Sequence, residues 1–596
     1  MAEFRLPDYG SHRSHSVPDV SPSANIEEPV FTLGDIGQTV PEVDPSGRLK
    51  NIVQTVQAAL RSGAGQLQLV LMVPPESAIG GRPKAYGKEV RTALKDLLYA
   101  NKANLVGIEL PTALNNLSGM NMQRGTLDED TRKRHLDEVK DAIQFAAEVA
   151  GGGGIDIVSW EAPRTLISPK WNQQGKWKGV FKMPGQDEII VVDDRTGAIH
   201  KLPKEGIPAP IENKKGEIPM WKWEDFVKYA EEKSKKLGKP VDPLDEYKDA
   251  IFGRQIKVAE HEIAYRKFEI DRRKRELESE EEEIKEKAGV KELPKDDKKR
   301  IEFAKKHLDK RKGDSYEIAF NLVKTEIDYI KEQERIRKEH IERIGSLKKI
   351  EDVGMERAKQ SYAEAGLFAM DETHRLKTKP IHVGPENGWP DYVGSHPQEY
   401  KELILGARQK MVEKLKQRGF SEDRAEKEAE THIKGLFDTG HLGMWFQNFM
   451  PDKPYDERLK KFKQWYMDQV DDLAKSGIVG SMQVVDSASG AHGHLPPGQG
   501  IFPVVEAAKE FKKQGFDGFI VSEGHEEERF NEGRILVKAW HAFNAKLGKE
   551  YQQGVPQTWN QVENNYTWKT YAPRQMFGSY TPPFGEYKPW SEIPFE

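Results

Sequence analysis

The feature that most limits how this chain can fold is a rhythm of short, fully apolar runs alternating with amphipathic stretches of helical length. LQLVLMV at 67–73 reads as a buried strand and precedes a helical pattern near 86–101. LVGIEL at 105–110 is the next strand, and the long amphipathic helix after it, 128–151, stops at a glycine run, a normal helix end. IDIVSW at 155–160 follows as another strand. Strands that are apolar on both faces need cover on both faces, so this order predicts a parallel sheet sheathed in helices, an α/β protein.

The rhythm breaks and later resumes. Residues 177–203 read as a small antiparallel excursion with turns at PGQD and DRTG. From about 221 to 365 the pattern is almost wholly helical and very charged, as in KFEIDRRKRELESEEEEIKEK from Lys267, with a turn around Pro294. Mixed-sign charges at this density predict solvated helical arms laced by i,i+4 pairs. Strands return at PIHVGPENG (380–388), at HIKGLFDTGHLGMW (432–445), ending at Asp438, and at GSMQVVDSASGAHGHLPPGQG (480–500), a strand with a long loop. The last strand lies in GFDGFIVSEGHEEE (515–528) and ends at Glu523, with helices at 456–475 and 503–514 between strands.

Composition narrows the chemistry. The 596 residues contain no cysteine, which removes disulfides, thiolate metal sites and cysteine nucleophiles and leaves Asp, Glu, His and Gln as the metal donors. Lys+Arg (92) and Asp+Glu (97) nearly cancel, which argues against nucleic acid as a partner because phosphate binding wants a basic excess. No apolar run approaches the length of a membrane span and the polar start lacks a signal-peptide core, so a soluble cytoplasmic protein is expected. Abundant Lys and Glu with few Met fit a thermophile's composition.

Four strands in the second half carry a carboxylate or amide at or just past their C-terminal ends: Glu386, Asp438, Gln483 with Asp486, and Glu523. In a βα barrel such ends converge on one face, where active sites are built. The loop after Gln483 adds His492 and His494. Hard oxygen donors with one or two imidazoles suit Mg, Mn, Co or Zn.

These residues resemble the xylose isomerase-like TIM barrels, a superfamily that includes sugar isomerases and epimerases and the AP endonuclease family 2. The resemblance runs through about 65–165 and 350–535: GPENG carries Glu386, FDTGHLG carries Asp438 and His441, QVVDS carries Gln483 and Asp486, and IVSEG carries Glu523. The expected fold is therefore a (β/α)8 TIM barrel with a long, highly charged helical insertion and an irregular aromatic-rich C-terminal tail. The expected divisions are a surface-draped segment 1–28, barrel 29–165, a β-rich insertion 166–220, a helical insertion 221–350, barrel 351–535, and a helix with an aromatic and proline-rich tail 536–596.

The resemblance implies a divalent metal ion held by Glu386, Asp438, Gln483 and Glu523, with His441, His492 and His494 binding a second ion or the substrate. Glu386 and Glu523 would be the catalytic acid and base, and Glu109, Glu161 and Asp486 would contact a small-molecule substrate. Gln483 stands where the family has a metal-binding histidine, and the early strand ends offer Glu109 and Glu161 where the endonucleases have histidines, which favours the isomerase side. Three functions follow: a metal-dependent isomerase or epimerase on a sugar or related hydroxy-carbonyl compound, a metal-dependent phosphodiesterase on DNA, or a non-catalytic barrel used in assembly. The helical insertion or the tail offers a route to a homo-oligomer. Each residue also has a plainer reading. Glu386 can brace the PENG turn, Asp438 can cap a helix, the two loop histidines can be solvated, and Glu523 can belong to an acidic turn.

Overall fold

Eight short strands pair edge to edge, all parallel, and close on themselves in simple chain order. They are β1 (Ile36–Pro41), β2 (Gln66–Val70), β3 (Asn104–Glu109), β4 (Gly153–Val158), β5 (Ile381–Glu386), β6 (Gly435–Asp438), β7 (Val479–Gln483) and β8 (Phe519–Ser522), with β8 pairing back onto β1. This computed structural model describes residues 30–43, 51–71, 82–111, 114–164, 169–182, 188–212, 216–523 and 535–545. The expected N-terminal segment 1–28, the PGQD turn and the aromatic tail beyond 545 lie outside the described residues.

A helix follows each strand: α1 (Ile52–Arg61), α2 (Lys88–Ala100), α3 (Glu129–Phe145), α6 (Ile350–Leu376) before β5, α7 (Pro397–Gln417), α8 (Tyr455–Ser476), α9 (Val504–Lys513) and α10 (Ile535–Phe543). The missing numbers belong to two very long helices between β4 and α6: α4 (Arg254–Ala288) and α5 (Lys310–Ser346). A closed parallel eight-stranded barrel with a helix after each strand fits the (β/α)8 architecture. The glycine run after α3 has a local cause: Gly151, Gly152 and Gly153 all take positive φ, so the chain reverses sharply into β4 where other residues would be strained.

Side chains pack the barrel interior below its mouth. A Cβ on Gly107 of β3 would lie 2.8 Å from the Phe519 ring, and one on Gly154 of β4 would lie 2.6 Å from His382 Nε2. Phe519 and His382 thus fill space that the two glycines leave open. Burial drives the His382 ring down to about 3, so the imidazole there is neutral.

Between β4 and β5 the chain departs from the barrel. Glu188–Asp193 and Ile199–Pro203 form the expected antiparallel pair around the DRTG turn, and Leu347–Lys349 adds a third strand to it. That third strand falls within the stretch 221–365, read from the sequence as almost wholly helical: it is three residues long, too short for a periodicity signal. The two long helices run antiparallel with apolar residues every seventh position, Ile263, Ile270, Leu277 and Ile284 facing Tyr316, Val323 and Ile330. This is the heptad seam of a two-helix coiled coil. Among the described residues, no helix is long and apolar enough to cross a membrane.

Candidate metal centre

The strand ends of β5, β6 and β7 are tied together by side chains that imitate the backbone. Asn387, next to Glu386, accepts from the Asp438 main-chain N–H at 2.8 Å and donates to its carbonyl at 2.9 Å. Thr439 Oγ1 does the same one strand on, accepting from Val485 N–H at 2.9 Å and donating to its carbonyl at 2.7 Å. These two bridges carry the ladder past the last sheet pairs and bring Glu386 beside Asp438. Asp438 Oδ1 accepts the His441 N–H at 2.7 Å and caps the short helix Thr439–Met444, so the capping reading of this residue holds. Its other oxygen, Oδ2, is buried with no hydrogen-bond partner among the described residues, so capping leaves it available for a second role.

Three imidazoles meet above these acids. His441 Nδ1 lies 2.9 Å from Glu386 Oε1 and 2.9 Å from the Asn387 carbonyl. His494 Nδ1 lies 3.1 Å from Glu523 Oε2. Their Nε2 atoms turn toward His492, whose Nε2 is 3.1 Å from that of His441 and 2.7 Å from that of His494. Each outer ring therefore rests its Nδ1 on a carboxylate and points its Nε2 inward, the orientation of a metal-ligating imidazole with a carboxylate behind it. The loop that carries His492 and His494 is anchored by Asp486, which accepts from the N–H groups of Ser487 (2.8 Å), Gly500 (2.9 Å) and Phe502 (3.2 Å). Asp486 is thus committed to loop backbone rather than turned to a substrate.

Further round the barrel, Glu109 and Asp156 complete a ring of buried acids with Glu386, Asp438 and Glu523, none more than 9% exposed. Gln483 Nε2 donates to Glu109 Oε2 at 2.7 Å and to Gln68 Oε1 at 3.2 Å, and Gln68 Nε2 donates to Asp156 Oδ2 at 2.9 Å. Oxygens of Glu109, Asp156 and Glu386 lie within 4.8 Å of one another, as do donor atoms of Glu386, Asp438 and His441. Two ionised carboxylates at that separation repel by roughly 3 kcal/mol at an effective dielectric of about 20. Burial, and then the charges of Glu523, Glu386 and Asp156, push Glu109 well above the carboxylate range. Burial and Glu386 do the same to Asp156. Burial raises Glu386 to about 6 against the pull of His441. Burial opposes a charged His441, but Asp438 and Glu386 outweigh it and push the ring up to about 10.

The donor set fits a divalent cation on one further observation. Asp156 Oδ1, Glu386 Oε2, Asp438 Oδ2 and Gln483 Oε1 are all buried oxygens with no hydrogen-bond partner among the described residues. Buried polar atoms are rarely left unsatisfied, and a cluster that is oxygen only calls for a cation or protons. Cation and proton compete for the same atoms, so binding would release protons.

The sequence-derived candidates thus separate into two groups. Glu386, Asp438, His441, Gln483, His492, His494, Glu523 and Glu109 form one connected network of hydrogen bonds and close approaches. Glu161 stands apart: its Oε2 accepts from the N–H groups of Leu117 and Ser118, both at 2.9 Å, and burial raises it to about 8. It braces the loop after β3. Residues that sequence reasoning passed over are Asp156, Gln68 and Asn387, and the aromatic wall of Trp160, Trp389 and Tyr392. Trp160 stacks on Tyr392 at 4.8 Å, and Trp389 sits 4.8 Å from both His441 and His492. Asp156 and Gln68 do carry a signal, since each interrupts an otherwise apolar strand and so has to face something polar inside. No protein-family model matches the chain, and no curated protein matches it.

Proposed function

We propose that the barrel mouth is a divalent-metal centre and that the protein is an isomerase or epimerase of a sugar or related small hydroxy-carbonyl compound, of the xylose isomerase-like kind. The observation that carries the reading is the set of buried, unpartnered oxygens on Asp156, Glu386, Asp438 and Gln483, beside three imidazoles that converge through Nε2. Glu386, Asp438, His441 and Glu523 would hold the cation, with His492 and His494 at its open side. Mn, Mg, Co and Zn all suit such mixed oxygen and nitrogen donors. When bound, the cation would polarise adjacent hydroxyl and carbonyl oxygens of the substrate and acidify the C–H between them.

The remaining work falls to the chain itself. Glu386 ends strand β5 and Glu523 follows the last residue of β8, and each has a histidine partner, so one can take the proton while the other returns it. Burial lifts Glu386 to about 6, where a carboxylate accepts and gives up a proton near neutral pH. The aromatic cluster in which Trp160 stacks on Tyr392 and meets Trp389 edge to face offers an apolar surface for the C–H side of a ring and keeps water from that side.

The converging imidazoles favour one second reading, a metal-dependent phosphodiesterase, because a three-histidine centre also suits a zinc-bound nucleophile. The acid-lined interior weighs against it, since a phosphodiester would meet the same charges. The test is solvent proton exchange. The Mn-loaded protein is incubated in deuterated water with a panel of ketoses and 2-keto acids, and deuterium uptake is followed by NMR. Uptake into one substrate class, lost in Glu386→Gln and Glu523→Gln, supports the proposal. No uptake, together with nicking of abasic DNA, would replace it with the second reading.

A further inference from the structure

We infer that the coiled-coil arm carries a second seam on its outer side, and that this seam joins it, antiparallel, to the arm of a second copy of the chain. The inference is independent of the metal centre. On α4 the inner seam consists of Ile263, Ile270, Leu277 and Ile284. Tyr265 follows Ile263 by two residues, about 200° round the helix, so it points away from α5. Val258 and Phe268 share that outer side, and Val258 is 64%, Tyr265 56% and Phe268 63% exposed. With the exposed His261 they fill positions 258, 261, 265 and 268, the alternating three- and four-residue spacing of a coiled-coil face. The stripe stops there, because its next two positions are Arg272 and Arg275. Large exposed side chains aligned on one helix mark a contact surface.

Charge identifies the occupant as the same surface of another copy. An antiparallel pair centred on Ile263 sets Val258 against Phe268 of the second copy and His261 against its Tyr265, each twice over by two-fold symmetry. One edge of the stripe is lined by Lys257, Ala264 and Asp271, all exposed. Antiparallel pairing brings this edge against itself, so Lys257 meets Asp271 of the second copy at both ends. Ala264 meets its own counterpart in the middle, where a small side chain lets the helices approach. Neither Lys257 nor Asp271 forms an ion pair among the described residues. The acids of the other edge are neutralised within their own helix, Glu262 by Arg266 at 3.5 Å and Glu269 by Arg272 at 2.9 Å. A parallel pair would lay the acidic outer half of α4, Glu276 to Glu286, along its own copy, whereas the antiparallel pair carries the two halves apart. Since α4 is already folded on α5, pairing pays no cost of ordering a helix. The product is a row of four helices, α5–α4–α4–α5.

The test is the oligomeric state of the full chain, measured by sedimentation equilibrium over a range of concentrations. A reversible dimer is expected for the wild type. Tyr265→Glu and Phe268→Glu should each weaken association by at least about 30-fold, the size of effect at a central contact residue. Their helix content and manganese count should equal those of the wild type, because both side chains face away from the inner seam. The chain has no cysteine, so introduced cysteines report the register without background. Val258→Cys combined with Phe268→Cys should yield a covalent dimer on oxidation, and either substitution alone should yield none. A monomeric wild type, a dimer that survives both glutamate variants, or cross-linking by a single cysteine overturns the antiparallel outer seam. The wild-type measurement decides the matter even if a variant fails to fold, and none of these outcomes bears on the barrel mouth.

Discussion

The mouth of the barrel and the coiled-coil arm are both crowded with charge, yet they spend it in opposite ways. On the arm, charges face water and are matched: Arg266 with Glu326 at 2.7 Å, Arg337 with Glu260 at 2.7 Å, Lys312 with Glu283 at 2.8 Å. Each such pair adds little, because solvent screens it and ordering two long side chains costs entropy. The arm is held instead by its apolar seam. At the mouth, five acids are buried at 9% exposure or less and face one another, two of them, Glu386 and Glu523, meeting a histidine ring. The lesson is that charge density by itself does not mark a site. Charge that is buried, converging and short of counter-ions does, because the fold tolerates it only if something else neutralises it.

The contrast breaks most sharply at Asp438. Asp438→Asn should abolish cation binding at the mouth and slow proton exchange by about 10²–10⁴-fold, because Glu386 and Glu523 would then act on a C–H that no cation acidifies. The chelated variant should melt no lower than the chelated wild type, because the substitution removes a buried carboxylate that burial has already raised above its ordinary value. Thermal melts with and without Mn(II) check both parts. A clear loss of stability in the metal-free variant would mean that Asp438 serves as structure.

A buried acid with a proper counter-ion should behave in the opposite way. Glu399 meets Arg164 through two oxygens, at 2.6 and 2.7 Å, and takes the Trp171 indole N–H at 2.8 Å. Burial would raise it, but Arg164 outweighs burial and holds it down to about 2. Glu399→Gln should cost about 3–5 kcal/mol, since it removes the carboxylate charge that meets the buried Arg164 guanidinium. The sign with pH follows from the depressed value. The contribution is fully present above the ordinary glutamate range and fades as pH falls toward 2, so wild type and variant should converge in acid. Denaturant titrations across that range test it, and a gap that widens in acid contradicts it.

The smallest effect on the centre is expected on the arm. Leu277→Ala should cost about 2–4 kcal/mol in the seam, seen as faster amide exchange along α4 and α5, with the manganese count and proton exchange unchanged. Any loss of metal from this variant would couple the two regions.

Seven of the eight barrel strands are legible as apolar runs, because strands sheathed by helices leave an uninterrupted signature. The eighth, β1, is not: IGQTVP contains Gly37 and Pro41 and lacks a continuous apolar core. Strand-end acids are legible because the barrel geometry sends them to one face, which is why Glu386, Asp438 and Glu523 stand out. What the sequence hides is the second partner of each group. Asp486 and Glu161 look like site residues, yet accept backbone N–H groups. Gln483 looks like a lost ligand, yet its amide braces Glu109 and leaves its oxygen free. Such commitments depend on which loop folds over which strand end, and local spacing does not encode that.

The most direct measurement is diffraction from crystals grown with Mn(II), collected at the manganese edge. Anomalous density bounded by Glu386, Asp438 and His441 is the predicted result. A lattice of the same protein with no density there, or with manganese only at surface carboxylates, would contradict the account.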